Sequence, residues 1–408
     1  MAQAGQKAVL DARRFGRTPL PFIAALALIS LVALIALVIV VQGGRFSALI
    51  GLVLALLPVP LVLAGVLYLD RLEPEPVSLL TLVFGAGAGA AALIGLLGHT
   101  LRTGLITTPE LGPQAGRLIS TTLGAAFGGA LVAETLKGSV LVGLLKFRRA
   151  ELDGAHDAVV YASMTGLGFA LIANLFAYTH AEHSGLDALV SAFAQRGVLA
   201  PLWDPLFSSM IGLGVSYAAM RRGRGGWWAI GLGWVVAVAL HTMWDDSVNA
   251  GPAQLAVVYL ILVGVLAALL LAVVADRRRI VGLISGYLPE FAAAGVATDH
   301  DVEMLGSLHW RRQARDWARL HRGLPGQRAM SEYQLAATEL ALAANRAGRE
   351  LMPADTFEAR RQNSISLMRA ALPVLRDDPQ RLQPPPWATH GGSVFTPRRD
   401  PPGARATS

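Results

Sequence analysis

The chain has 408 residues, 53% of them hydrophobic and 15% charged, with a formal net charge of +7. Soluble domains carry about a quarter of their residues as charges, so this composition excludes an ordinary water-soluble protein and makes lipid the main solvent. The absence of cysteine excludes disulfides, thiolate metal ligands and a cysteine nucleophile.

Apolar runs long enough to cross a bilayer, about 20 residues each, recur along the first two-thirds of the chain. Backbone groups in lipid must be satisfied within each run, so helices follow, and no period-2 alternation supports a membrane barrel. The expected fold is all-α: a polytopic membrane bundle of about eight transmembrane helices. The first run, Leu20 to Val41, follows Lys7, Arg13, Arg14 and Arg17 and is too long for a signal-peptide core, so it reads as a retained span. Phe46 to Leu69 follows, softened by Pro58 and Pro60, and then Val77 to Leu97, a Gly/Ala-rich run suited to close helix packing. A less regular stretch with Arg102, Pro109, Pro113 and Arg117 leads into the apolar region Leu118 to Leu145, where Gly128-Gly129 predicts a break or re-entrant turn. Later spans are expected over Ala158 to Thr179, Pro201 to Met220, Trp227 to Trp244 and Ala253 to Ala275.

Hydropathy falls after Arg279, while helical patterns continue. Ser331 with Gln334 three residues on reads as a capping box before the alanine-rich run Leu335 to Ala347. Arg311 to Arg322, with Trp310 and Trp317, form a basic helix; an anionic lipid surface and packing within its own domain are both open destinations. The resulting division is a cytoplasmic segment over 1–18, a transmembrane domain over 19–276, a helical cytoplasmic domain over 277–376 and a disordered proline-rich tail over 377–408.

The basic residues cluster at the ends of apolar runs, so topogenesis explains the positive charge and no nucleic-acid partner is needed. Alternate loops hold 14 Lys and Arg residues against 4 in the other set. That asymmetry places both termini in the cytoplasm, in keeping with an even number of spans.

Ionisable side chains at membrane depth are costly and mark a cavity, a partner or a functional site. Glu134 and Lys137 lie three apart and share a helix face, either as an ion pair that offsets two buried charges or as part of a site. His241 and Asp245 lie four apart, so they either bind one metal, with Asp245 as ligand or as orienter of the imidazole, or simply end a helix at the interface. Asp204 precedes Pro205-Leu206-Phe207, and Asn174 is an uncharged fifth candidate. Counting along the spans puts His241, Asp204 and the turn before Asn174 at one depth in the outer leaflet; Glu134 joins them if its helix begins near Gly129.

These elements, in this order, resemble the PrsW family of intramembrane proteases, which is related to the CAAX prenyl endopeptidases. The likeness rests on Glu134-Thr-Leu-Lys137, on Leu152-Asp153-Gly154 leading through Asp157 to Tyr161, on Gly166-Leu-Gly-Phe-Ala170, on Pro205-Leu-Phe207 with Gly212, and on His241-x-x-Trp244-Asp245. Asp301-Val-Glu-Met-Leu305 with the arginines after it is similar to the cytoplasmic extension of actinobacterial members. Family members usually show Glu-Glu-x-x-Lys, where this chain has Ala133 before Glu134; Phe-x-x-x-Glu-Asn, where it has Ala173 before Asn174; and a histidine where it has Asp204. The resemblance implies metal-assisted hydrolysis of a peptide bond by a protein of the bacterial cytoplasmic membrane. It makes Glu134 and Lys137 the catalytic candidates, His241, Asp204 and Asp245 the candidate ligands of a divalent metal, zinc first, and Asn174 a lining residue. The implied partners are membrane lipid and a membrane-anchored protein substrate such as an anti-sigma factor. A pseudoprotease that binds transmembrane helices without cutting them is the competing reading, and a small-solute transporter is a third.

Overall fold

The computed structural model describes residues 45–70, 75–107, 126–152, 154–221, 225–293, 297–349 and 352–376. The expected span Leu20 to Val41, the segment 1–18, residues 108–125 and the tail 377–408 lie outside the described residues. Every regular element described is helical. Among the described residues, six helical stretches are long and apolar enough to cross a bilayer, and a pair bent by 42°, Leu186–Leu199 with Trp203–Ala219, makes a seventh if it counts as one span.

The first candidate span is two helices, α1 (Arg45–Leu56) and α2 (Val59–Leu69), because Pro58 and Pro60 cannot donate into a continuous ladder. Next comes α3 (Val77–Thr107), whose helix carries through Arg102, where the sequence suggested irregular chain. Helix α4 (Ala126–Arg148) contains Gly128 and Gly129 within its first turn, so in the described residues the glycine pair sits inside a helix and not at a turn. Central to the bundle is α5 (Ala155–His183). Its apolar window is 89% buried, against 22–44% for the other single-helix spans among the described residues, so protein and not lipid surrounds most of α5. The chain then forms α6 (Leu186–Phe193), a π-helical turn at Ala194–Leu199, α7 (Trp203–Ala219), α8 (Trp227–Ala250) and α9 (Pro252–Ala293).

Lipid tails are as apolar as leucine, so helices associate here by close packing and not by exclusion from water. Glycines let the backbones meet. A Cβ on Gly87 of α3 would collide with the Thr165 carbonyl of α5, and one on Gly168 of α5 with the Phe84 carbonyl of α3. Gly166 likewise faces the Asp204 carbonyl of α7, where a Cβ would stand 2.5 Å away. The first two contacts set α3 against α5, and the third brings α7, and with it Asp204, close to α5.

Residues to Asp276 and residues from Arg277 onward form two compact units. Besides the end of α9, the second holds α10 (Asp299–Leu305), α11 (Leu308–Gly348) and α12 (Ala354–Arg376), around a core that includes Ile284, Met304, Tyr333, Leu340 and Met368. The N-terminus expected at Ser331 is not there: Ser331 Oγ donates to the Gln327 carbonyl inside α11. The helix restarts instead at Gly323, whose φ of 66° and following Pro325 break the ladder eight residues earlier. The capping box of this unit is Thr298 with Asp301.

Candidate functional site

Helix α4 contributes Glu134 and Lys137, one turn apart on the same face, and both are 0% exposed. Lys137 Nζ stands 2.7 Å from Glu134 Oε1. The expected ion pair therefore forms, and it extends further: the same ammonium donates to Asp204 Oδ1 at 2.7 Å. Asp204 sits in the first turn of α7, just past the bend, where Pro205 is tolerated and an acid favours the helix dipole.

From α8, His241 Nδ1 reaches Glu134 Oε1 at 2.7 Å. A carboxylate oxygen only accepts, so in this contact Nδ1 carries the proton. Asp245 Oδ2 is 3.5 Å from Nε2, a contact at the outer limit of hydrogen bonding that requires a proton on that nitrogen as well. Both residues lie well inside α8, which runs on to Ala250, and not at a helix end.

Two aromatic rings enclose the charges. Phe207, one turn after Asp204, stacks on the His241 ring at 5.0 Å and 22°. Phe169 of α5 lies under Lys137 Nζ, 4.6 Å from the ring centroid. Trp234 Nε1 donates to Thr135 Oγ1 at 3.1 Å, tying α8 to α4 beside Glu134. Sequence reasoning treated Phe207 and Phe169 only as parts of motifs, and Trp234 not at all. The available signal was the three-residue spacing from Asp204 to Phe207.

Glu134, Asp204 and His241 each offer a ligand atom, and these atoms lie within 4.8 Å of one another. Asp245 is outside that group, beside the far nitrogen of the imidazole. Asn174 is buried on α5, and among the described residues no hydrogen bond joins it to the charges. Glu134 Oε2 is buried without a hydrogen-bond partner, although Oε1 takes both Lys137 and His241. An orphaned carboxylate oxygen in an apolar interior is costly and open to a cation. Two carboxylates and an imidazole form a donor set that suits zinc or a related divalent ion.

A helical membrane protein whose spanning helices converge an acid pair, a lysine and a histidine at one buried point is thus the class that fold and site define. Within it, residues 75–274 match and belong to the PrsW family of intramembrane metalloproteases, a stretch that contains every site residue named above. The family is one of peptidases that use a divalent metal and act in the membrane. No curated protein and no solved structure matches the chain.

Proposed function

We propose that the protein is a working PrsW-type peptidase that hydrolyses a peptide bond of a membrane-anchored protein, such as an anti-sigma factor, at a site altered from the family pattern. The observation that carries this reading is the convergence of Glu134, Asp204 and His241 within 4.8 Å inside the spanning helices. A divalent ion, zinc by its acceptance of mixed oxygen and nitrogen donors, would be held by these three residues and would supply Lewis acidity and a more acidic bound water. Glu134 fixes the tautomer of His241 through Nδ1, and Phe207 holds the ring plane by stacking. Lys137 neutralises two acids in lipid and offers ammonium protons to an oxyanion developing beside it. Asp245 orients His241 and Asn174 lines the approach.

Around this site we place eight spans, both termini in the cytoplasm of a bacterial plasma membrane, a helical cytoplasmic domain over 277–376 and a disordered tail. The loop asymmetry of 14 against 4 basic residues supports that orientation.

One observation favours the second reading, a pseudoprotease that holds transmembrane helices. Lys137 bridges both carboxylates at 2.7 Å, so the acids already have a cation. The deciding experiment measures near-stoichiometric divalent metal in purified protein together with cleavage of a membrane-anchored reporter. The peptidase reading requires metal and cleavage in the parent and neither product nor turnover in Glu134→Ala and His241→Ala. Captured, uncut reporter on metal-free parent protein would establish the pseudoprotease.

A further inference from the structure

The second unit carries a feature that a peptidase site does not use. Between Leu308 and Arg328 the chain sets six arginines against one acid, Asp316. The fold sorts them. Arg311 is 4% exposed and donates from Nη2 to the Gln334 carbonyl at 2.9 Å and to Thr338, while Arg315 donates to Gln334 Oε1 at 2.7 Å. Trp317 also turns inward, at 7% exposure. These side chains anchor α11 within its own unit, which answers one of the two destinations left open by the sequence.

Of the other four, Arg312 is exposed earlier in α11, and Arg319, Arg322 and Arg328 lie around the break at Gly323. Arg319 and Arg328 are exposed there. So are Leu320 at 82%, Leu324 at 57% and Pro325, an apolar tip on a unit whose other large apolar side chains mostly enter its core. Arg322 lies beside the same break, half-buried. Its Nε and Nη2 are shielded from water yet have no hydrogen-bond partner among the described residues. Arginine suits phosphate, whose oxygens match its planar fork, wherever a guanidinium is presented at a lipid surface. Exposed leucines on a turn, flanked by arginines, fit one environment: the boundary between headgroups and acyl chains of an anionic bilayer.

We propose that the Gly323 turn is a membrane-surface anchor, with Leu320, Leu324 and Pro325 entering the bilayer boundary and Arg319, Arg322 and Arg328 binding anionic lipid phosphates. The inference stands whether or not the chain cuts peptides.

The chain has no cysteine, so Leu324→Cys takes a single spin label in the full-length protein. The protein is reconstituted into vesicles of phosphatidylcholine with one-third phosphatidylglycerol, or of phosphatidylcholine alone, and the label's collisions with oxygen and with a water-soluble nickel chelate are compared. The oxygen-to-nickel ratio should rise at least fivefold in the anionic vesicles over that of a label at Glu303, whose side chain is 63% exposed on the same unit. Adding Arg319→Glu and Arg328→Glu should remove most of that rise, with a label at Glu303 in the same background reporting an unchanged unit. A label at 324 that reports water in anionic vesicles overturns the proposal. Equal entry into both lipid compositions overturns it too, because the arginines would then have no part in binding.

Discussion

Lys137→Met removes the ammonium at the centre of the site and keeps a side chain of similar length. In the parent, that ammonium makes charge-assisted hydrogen bonds of 2.7 Å to Glu134 and to Asp204, with lysine and glutamate both 0% exposed. A hydrogen bond to a charged group is worth about 1.5–3 kcal/mol, and stripping one partner from a buried pair costs about 3–5 kcal/mol because the other charge stays buried. The variant should therefore lose about 3–5 kcal/mol of unfolding free energy, read from reversible denaturation in mixed micelles. Neutralising the orphaned acid as well, in Lys137→Met with Asp204→Asn, should return about 2 kcal/mol, since the desolvation penalty falls with the charge. Glu134 keeps His241 as its partner in both variants. A single variant within about 1 kcal/mol of the parent, or a double variant worse than the sum of its parts, would refute the picture of one ammonium shared by two acids.

Gly168→Ala should destabilise by about 1–3 kcal/mol despite the better helix propensity of alanine, because its Cβ meets the Phe84 carbonyl; Gly89→Ala, with nothing within 4 Å, should be neutral or stabilising in the same thermal assay. Ala133→Glu should lower thermal stability and not rebuild a family-like acid pair, since Ala133 is 4% exposed and packs with Ala88, Ala91 and Phe169; an unchanged melting temperature would contradict this. Just past the span Phe46–Leu69, burial pushes the Asp70 carboxyl from 3.8 up to about 6, against the opposing pull of the Glu75 N–H and of His156. A carboxyl raised in the folded state contributes stability that is complete below about pH 4 and lost as pH rises through 6. Asp70→Asn should therefore flatten the fall in melting temperature between pH 4 and 6, and parallel profiles for variant and parent would exclude Asp70 as its cause.

The spans were legible because apolar length in lipid has one solution, a helix, and the described helices α3, α5, α7, α8 and α9 cover the expected runs. Their ends were less so. Helix α8 continues six residues past Trp244 and α9 eighteen past Ala275, since a polar sequence continues a helix as readily as an apolar one once the ladder is running. Helix α6 and its π-turn were not foreseen; their residues are apolar enough for lipid but interrupted by a 42° bend before Trp203. At the site, polar residues in apolar runs marked Glu134, Lys137, Asp204 and His241 without coordinates. What spacing could not show is that Lys137 pairs across to α7 as well as within its own helix, or that Asp245 faces the far side of the imidazole. Such contacts join residues 67 and 107 positions apart, and only tertiary packing sets them.

The three departures from the family pattern read differently once the charges are counted in place. Alanines at 133 and 173 remove two acids, and Asp204 restores one on another helix, within reach of the ammonium. The acid that pairs with Lys137 besides Glu134 thus comes from α7 and not from α4 itself. An acid on α7 ties the bent segment to α4, whereas a second acid on α4 could not. Restoring a single member of the old pattern breaks the balance, because each charge in lipid requires its partner already present. The chemistry open to this site follows from that balance: one carboxylate oxygen of Glu134 without a hydrogen-bond partner, one imidazole between two acids and one ammonium between two acids.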